Sequence, residues 1–247
     1  MVLGDEMERQ GGWLFRWRSY LPIAMIPVVA VALAHSEGLE RLAGGTVDGV
    51  FEGLCVAISF LGLAVRCLTV GFIPPAVSTR NRNVGQAPNL RTAGMYSVVR
   101  HPLYLGNFFI MLGIAMFTQV WWFVVIAVLA FVLYYERIML AEEQALRRSF
   151  GNAYDEWASK VPAFVPRFKK WQQPTAPFSF RSILKKEYTG FMEIPVAFAA
   201  LEIGGDWLTM RKVEVSPVWV VMLAVALVTY VTLRTLKKST RVLEASE

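Results

Sequence analysis

PLYLGNFFIMLGIAMFTQVWWFVVIAVLAFVLYY, residues Pro102–Tyr135, decides the fold: it carries no Asp, Glu, Lys or Arg. A helix that crosses a bilayer needs roughly 17–25 mostly apolar residues. The polar pair Thr118-Gln119 divides the stretch into two apolar segments, one starting just after Pro102 and ending near Thr118, the other from about Val120 to Tyr135. They are joined almost without a loop and predict a tight helical hairpin. Working outward, four more apolar segments appear. Tyr20–Ala34 follows the basic-aromatic lead Trp13–Arg18, and Val50–Ile73 contains Arg66. Phe191–Leu208 is interrupted by Glu193, Pro195 and Glu202, and Pro217–Leu236 is the cleanest of all. The chain is 55% hydrophobic, against about 45–50% for a soluble domain. The expected fold is therefore all-α: a polytopic transmembrane helical bundle with about six spans.

Basic residues give the orientation. With both termini cytoplasmic and six spans, 21 of the 25 Lys+Arg fall on the cytoplasmic side. Arg41, Arg211 and Lys212 fall outside, and Arg66 lies within the membrane. That asymmetry follows the positive-inside rule. The formal net charge of +6 then reports cytoplasmic loops and contact with membrane lipids rather than nucleic acid. A bacterial inner membrane is the expected location, with the functional site on the cytoplasmic face. Met1–Arg18 contains Asp5, Glu6 and Glu8 and does not resemble a cleavable signal peptide. Cys55 and Cys67 are about 18 Å apart along one helix, too far to form a disulfide.

The chain reads as a single membrane domain, 1–247, without an internal repeat. A transporter would be expected to have such a repeat or paired broken helices. Pro74–Gly94 is a polar irregular loop, and Ser78-Thr79-Arg80-Asn81 within it offers a place for a polar headgroup or is simply solvated. Glu136–Lys160 continues helically from the fourth segment and stops at Val161–Pro166, where two prolines stand. Residues 188–236 form a C-terminal pair of membrane segments.

The densest chemistry lies in Gly94–Gly106, GMYSVVRHPLYLG, where a cytoplasmic loop enters a membrane helix. Pro102 favours a helix start with His101 at its cap. The free amides there suit a carboxylate, and Arg100 and His101 add donors. Tyr96 and Tyr104 offer flat faces for an adenine or a sulfonium cation. The same residues also fit an ordinary cytoplasmic anchor with interfacial tyrosines. A second cluster is Glu136-Arg137 followed by Glu142-Glu143. Glu142 is four residues from both Ile138 and Leu146, so it sits on an apolar helix face and needs a partner. Glu143 and Arg147 are spaced to pair at the surface. No metal site is expected.

Together, Gly94–Gly106, the hairpin, Glu142-Glu143 with Leu146, Phe150-Gly151, Tyr154 and Val161-Pro162 through Pro166 resemble the isoprenylcysteine carboxyl methyltransferase family. They are also similar to the wider group that includes phospholipid methyltransferases. The resemblance covers about Asn89 to Phe168, and it makes 89–168 the methyltransferase core. It implies an S-adenosylmethionine pocket lined by Tyr96 and by His101, Pro102, Leu103 and Tyr104. Asn89, Leu90 and Arg91 would close over the cofactor, and Glu142 would bind it from the other side. Arg100 would orient the acceptor or the cofactor carboxylate, giving Arg100 and Glu142 as candidate catalytic residues. Arg137 is the nearest match to a substrate-touching arginine, one residue out of register. The C-terminal pair extends past the family's usual end.

The implied reaction is methyl transfer to a lipophilic acceptor that enters from the bilayer. A carboxylate acceptor needs no base. An amine or thiol must lose a proton, which makes Glu142, Glu143 or His101 a candidate base. An NADPH-dependent membrane reductase of the steroid 5-alpha-reductase type shares an Arg-His-Pro-x-Tyr-x-Gly turn. It usually has Asn and Glu where this chain has Leu103 and Asn107. A non-enzymatic membrane scaffold is the other alternative.

Overall fold

A computed structural model describes residues 3–18, 20–36, 44–73, 89–211 and 216–239. The helices are α1 (Leu3–Trp17), α2 (Leu21–Ala24), α3 (Ile26–Ala34), α4 (Gly45–Gly71), α5 (Pro102–Phe117), α6 (Trp121–Phe150), α7 (Asn152–Ala158), α8 (Phe180–Met210) and α9 (Pro217–Ser239). A single 3-10 turn, Gly94–Ser97, precedes α5, and another, Phe168–Lys170, follows α7. Among the described residues there is no strand, so the all-α expectation holds. The loop Ser78-Thr79-Arg80-Asn81 lies outside the described residues, as do Arg41, Arg82, Lys212 and Arg241 of the charge count.

Among the described residues, three helices are long and apolar enough to cross a membrane: α4, α6 and α9. This differs from the six segments read in the sequence. The first segment divides into α2 and α3, and α3 is only 9 residues long. The third segment, α5, is apolar but has 16 residues. The fifth lies inside the 31-residue α8, which starts earlier than expected and carries charged residues along with Pro195.

The hairpin forms as expected. Pro102 occupies the first turn of α5, where its missing N–H leaves no bond unmade, and His101 is the N-cap. The corner is tight because Thr118 Oγ1 donates to Ala115 O at 2.8 Å and Gln119 adopts φ 59°. α6 has 30 residues, about 45 Å at the usual helical rise. Its first half is apolar and its second half carries Glu136, Arg137, Glu142 and Glu143. The helix ends at Gly151, whose φ of 54° redirects the chain into α7.

α4 and α5 are in close backbone contact along a seam of small residues. A Cβ at Gly62 would lie 2.4 Å from Gly106 O, and one at Gly113 would lie 2.3 Å from Cys55 O. Ser59 Oγ donates to Ile110 O across the seam at 3.0 Å. Small residues allow helices in lipid to gain packing where no hydrophobic drive exists between them. Gly113→Val is expected to destabilise the fold by roughly 2–3 kcal/mol, because both neighbours are fixed by their own helix. Thermal unfolding in detergent checks this.

α1 packs along the second half of α6. Tyr134 Oη donates to Leu14 O at 2.9 Å, Arg148 pairs with Glu8, and a Cβ at Gly11 would reach 2.0 Å from Arg137 O. At the other end of the bundle, α8 and α9 pair through Phe198 and Trp219, whose rings stack at 5.6 Å, and Phe117 of α5 meets both edge-on. The two cysteines are free, and Cys55 is buried.

Candidate active site

The turn Gly94–His101 is held by the chain that follows α7. Arg100 N donates to Pro162 O (2.9 Å), His101 N to Ala163 O (3.2 Å) and Arg167 N to Val98 O (2.9 Å). Gln172 N donates to Ser97 Oγ at 2.9 Å, and Trp157 Nε1 donates to Tyr96 O at 3.1 Å. The prolines at 162 and 166 stop the helix, and the extended strap they leave supplies these carbonyls. Val98 and Val99 are fully buried beneath the strap.

This lashing sets His101 against α6. His101 Nε2 lies 2.9 Å from Glu143 Oε1 and Nδ1 lies 3.6 Å from Glu142 Oε2. Tyr104 Oη donates to Glu142 Oε2 at 2.9 Å, and the Tyr104 ring stacks on His101 with centroids 5.5 Å apart. Arg100 Nε lies 3.3 Å from Glu143 Oε1. Burial alone would push the His101 imidazole down. The hydrogen bonds and charges of Glu142 and Glu143 outweigh it, so the ring is held above its ordinary range. The imidazole thus bridges two carboxylates one residue apart on α6.

Beside this cluster opens a cleft lined by Asn89, Leu90, Arg91, Tyr96, Arg100, His101, Glu142, Leu146, Tyr154 and Trp157. Tyr96 has its hydroxyl pushed up by burial, with Arg91 opposing the shift. Arg100 Nε and Tyr154 Oη are buried at the wall without a well-aligned hydrogen bond among the described residues. A polar ligand can satisfy such atoms.

Seven of the residues singled out from sequence therefore share one cleft: Asn89, Leu90, Arg91, Tyr96, Arg100, His101 and Glu142. Tyr104 stands behind it, bonded to Glu142. Pro102 is buried in the first turn of α5 and Leu103 is half-buried beside it; neither lines the cleft. Arg137 is not brought to the cleft. It donates to Gln10 Oε1 (3.0 Å) and Leu133 O (2.8 Å), on the α6 face covered by α1. Glu143 does not pair with Arg147 as its spacing suggested, and Arg147 instead meets Asp155 of α7 at 2.9 Å. Trp157 was missed from sequence. The signal was its spacing three residues after Tyr154 on α7, which puts both rings on one face.

A ladder of rings leads from the cleft into the bundle. Tyr104 meets Tyr135 at 4.8 Å, Tyr135 stacks on Phe131 at 4.1 Å, and Phe108 and Phe164 close around Phe131 at 5.3 and 6.4 Å. A polar pocket and an apolar wall thus adjoin.

Residues 56–153 match the family described as phospholipid methyltransferase. The nickel-cobalt-cadmium resistance protein NccN of Alcaligenes xylosoxydans xylosoxydans is 33% identical over 151 residues, 61% of this chain and 63% of that protein. The cobalt-zinc-cadmium resistance protein CzcN of Cupriavidus metallidurans is 32% identical over 128 residues, 51% of this chain and 56% of that protein. Each match spans less than two thirds of the relative's length. No solved structure matches. The family likeness read from Gly94–Gly106 and Glu142-Glu143 is thereby borne out: the stretch from the middle of α4 to the first turn of α7 matches the phospholipid methyltransferase family.

Proposed function

We propose that this chain is an S-adenosylmethionine-dependent methyltransferase of a membrane, acting on a lipophilic acceptor from a cleft on the cytoplasmic side. The observation that carries this reading is the convergence of Arg91, Arg100, Tyr96, Trp157 and Glu142 on one cleft that adjoins an aromatic wall. Bound S-adenosylmethionine would supply an electrophilic methyl group on a sulfonium. The residues fit such a ligand. Arg91 and Arg100 offer fork-shaped donors to a carboxylate, and Tyr96 and Trp157 offer π-faces to a base or a cation. Glu142 accepts from a hydroxyl or an ammonium. His101 holds Glu142 and Glu143 in place, so that little reorganisation is needed on binding.

The rings from Tyr104 to Phe108 and Phe164 would carry the acceptor's apolar portion and keep water from the reacting atoms. An acceptor carboxylate needs only orientation, for which Arg100 is at hand. An acceptor amine or thiol would pass its proton to Glu142, which Tyr104 and His101 steady. The charge bias across the predicted loops favours a cytoplasmic cleft, both termini cytoplasmic and six membrane segments, with α5 and α8 completing the bundle around α4, α6 and α9. The bacterial origin of both relatives favours a bacterial inner membrane.

The relatives' names speak of nickel, cobalt, zinc and cadmium resistance. Among the described residues no three His, Cys, Asp or Glu side chains converge as metal ligands. A link to resistance would therefore run through a methylated membrane product. The test is incubation of the reconstituted chain with methyl-labelled S-adenosylmethionine and a bacterial membrane lipid extract. Label is expected in one organic-soluble fraction. Label absent from every lipid fraction, with the protein folded, would exclude a lipid acceptor.

A further inference from the structure

The C-terminal helices α8 and α9 lie beyond the family match, and the reaction described above makes no use of them. One side chain ties them to the cleft. Arg66 of α4 binds Glu187 of α8 through two nitrogens, Nε to Oε2 at 2.8 Å and Nη2 to Oε1 at 3.1 Å. Its third nitrogen, Nη1, donates to Asn107 Oδ1 on α5. Asn107 Nδ2 in turn donates to Tyr135 Oη on α6 at 2.9 Å. The Tyr135 ring rests on Tyr104, whose hydroxyl donates to Glu142. The side chain of Glu187 is only 6% exposed. Gly106 leaves the space for Arg66, since a Cβ there would lie 2.5 Å from Arg66 Cγ.

We propose that the Arg66–Glu187 pair is a positioning device for the methyl-transfer cleft, setting Tyr135 and Tyr104 against Glu142 and making α8 a working part of the site. This rests on the function proposed above. The bidentate geometry fixes the guanidinium plane, so its third nitrogen can hold only one orientation of the Asn107 amide. That amide fixes the Tyr135 hydroxyl, and the ring contact fixes the azimuth of Tyr104. Four helices are registered at one point just below the cleft. An ion pair that only held helices together would not need to end on a residue that reaches the ligand.

The test uses the purified full chain in detergent, S-adenosylhomocysteine as the probe, calorimetry for affinity and thermal unfolding for stability. The double variant Arg66→Met with Glu187→Leu removes both charges, leaving no unpaired charge, and is expected to fold. It is expected to bind the probe about tenfold more weakly, the scale of a small misplacement in a preorganised site. Tyr135→Phe keeps the ring and loses only the hydroxyl. It should weaken binding several-fold alone and have no further effect in the double variant, the signature of one shared path. Should the double variant not fold, Asn107→Ala replaces it, since it cuts the path and spares the ion pair. Wild-type affinity in the folded path-breaking variants, or an effect of Tyr135→Phe that simply adds, would overturn the positioning role and leave the cleft assignment standing. No binding to the wild-type chain would overturn the cleft assignment and this role with it.

Discussion

His101→Ala is expected to lower S-adenosylhomocysteine affinity by roughly 100-fold, because the ring makes two charge-assisted contacts that each contribute on the order of 1.5–3 kcal/mol. The loss has two parts. Glu142 and Glu143 lose the ring that bridges these two consecutive carboxylates. Tyr104 loses the ring it stacks on and is freed from its angle toward Glu142. The N-cap of α5 keeps its backbone bond to Ala163 O, so the helix start should survive and the fold with it. Calorimetry beside a thermal scan separates the two effects. The same residue sets a pH dependence. The His101 imidazole is held above its unfolded value by Glu142 and Glu143 against the cost of burial. Its stabilising contribution is therefore complete below about pH 6.5, the unperturbed value, and fades as pH rises through the raised one. Probe affinity should fall on the alkaline side in the wild type, and that limb should be flat in His101→Gln.

Arg66→Leu is expected to cost about 3–5 kcal/mol of stability, the typical result of leaving a buried charge without its partner. Glu187 would be that charge, because its side chain is almost fully enclosed and both oxygens bind Arg66. Adding Glu187→Leu should return most of the loss, since removing both members of a buried pair is often close to neutral. The thermal midpoint reports the contrast. A single variant as stable as the wild type would mean that Glu187 finds another partner or water.

Much of this was legible in the sequence because it depends on local rules. A charge-free stretch of membrane length with Thr118-Gln119 in the middle can only be a hairpin if both halves are to bury their backbones. Pro102 dictates where α5 starts, and with it the cap position of His101. The two prolines after Val161 dictate where the cytoplasmic helix stops. What was not legible depends on long-range partners. Glu143 has an equally spaced neighbour in Arg147, and nothing local says that His101, 42 residues earlier, wins it. Arg137 has a suitable identity and spacing, but α1 covers its face of α6, and covering is a tertiary fact. Arg66 looked like a lone intramembrane charge until α8, starting at Phe180 rather than near Phe191, brought Glu187 beside it. The span count was legible only in part for a related reason: apolarity marks a buried helix and a lipid-facing one alike, and among the described residues three of the segments form helices long and apolar enough to cross a membrane.

The central claim is that the cleft between the Gly94–His101 turn and α6 holds S-adenosylmethionine. Calorimetry of the purified full-length chain with S-adenosylhomocysteine, and separately with NADPH, tests it most directly. The account predicts saturable binding of S-adenosylhomocysteine in the micromolar range, about the affinity usual for small ligands in such clefts, and no heat from NADPH. Binding of NADPH instead, or of neither ligand to a folded chain, would contradict it.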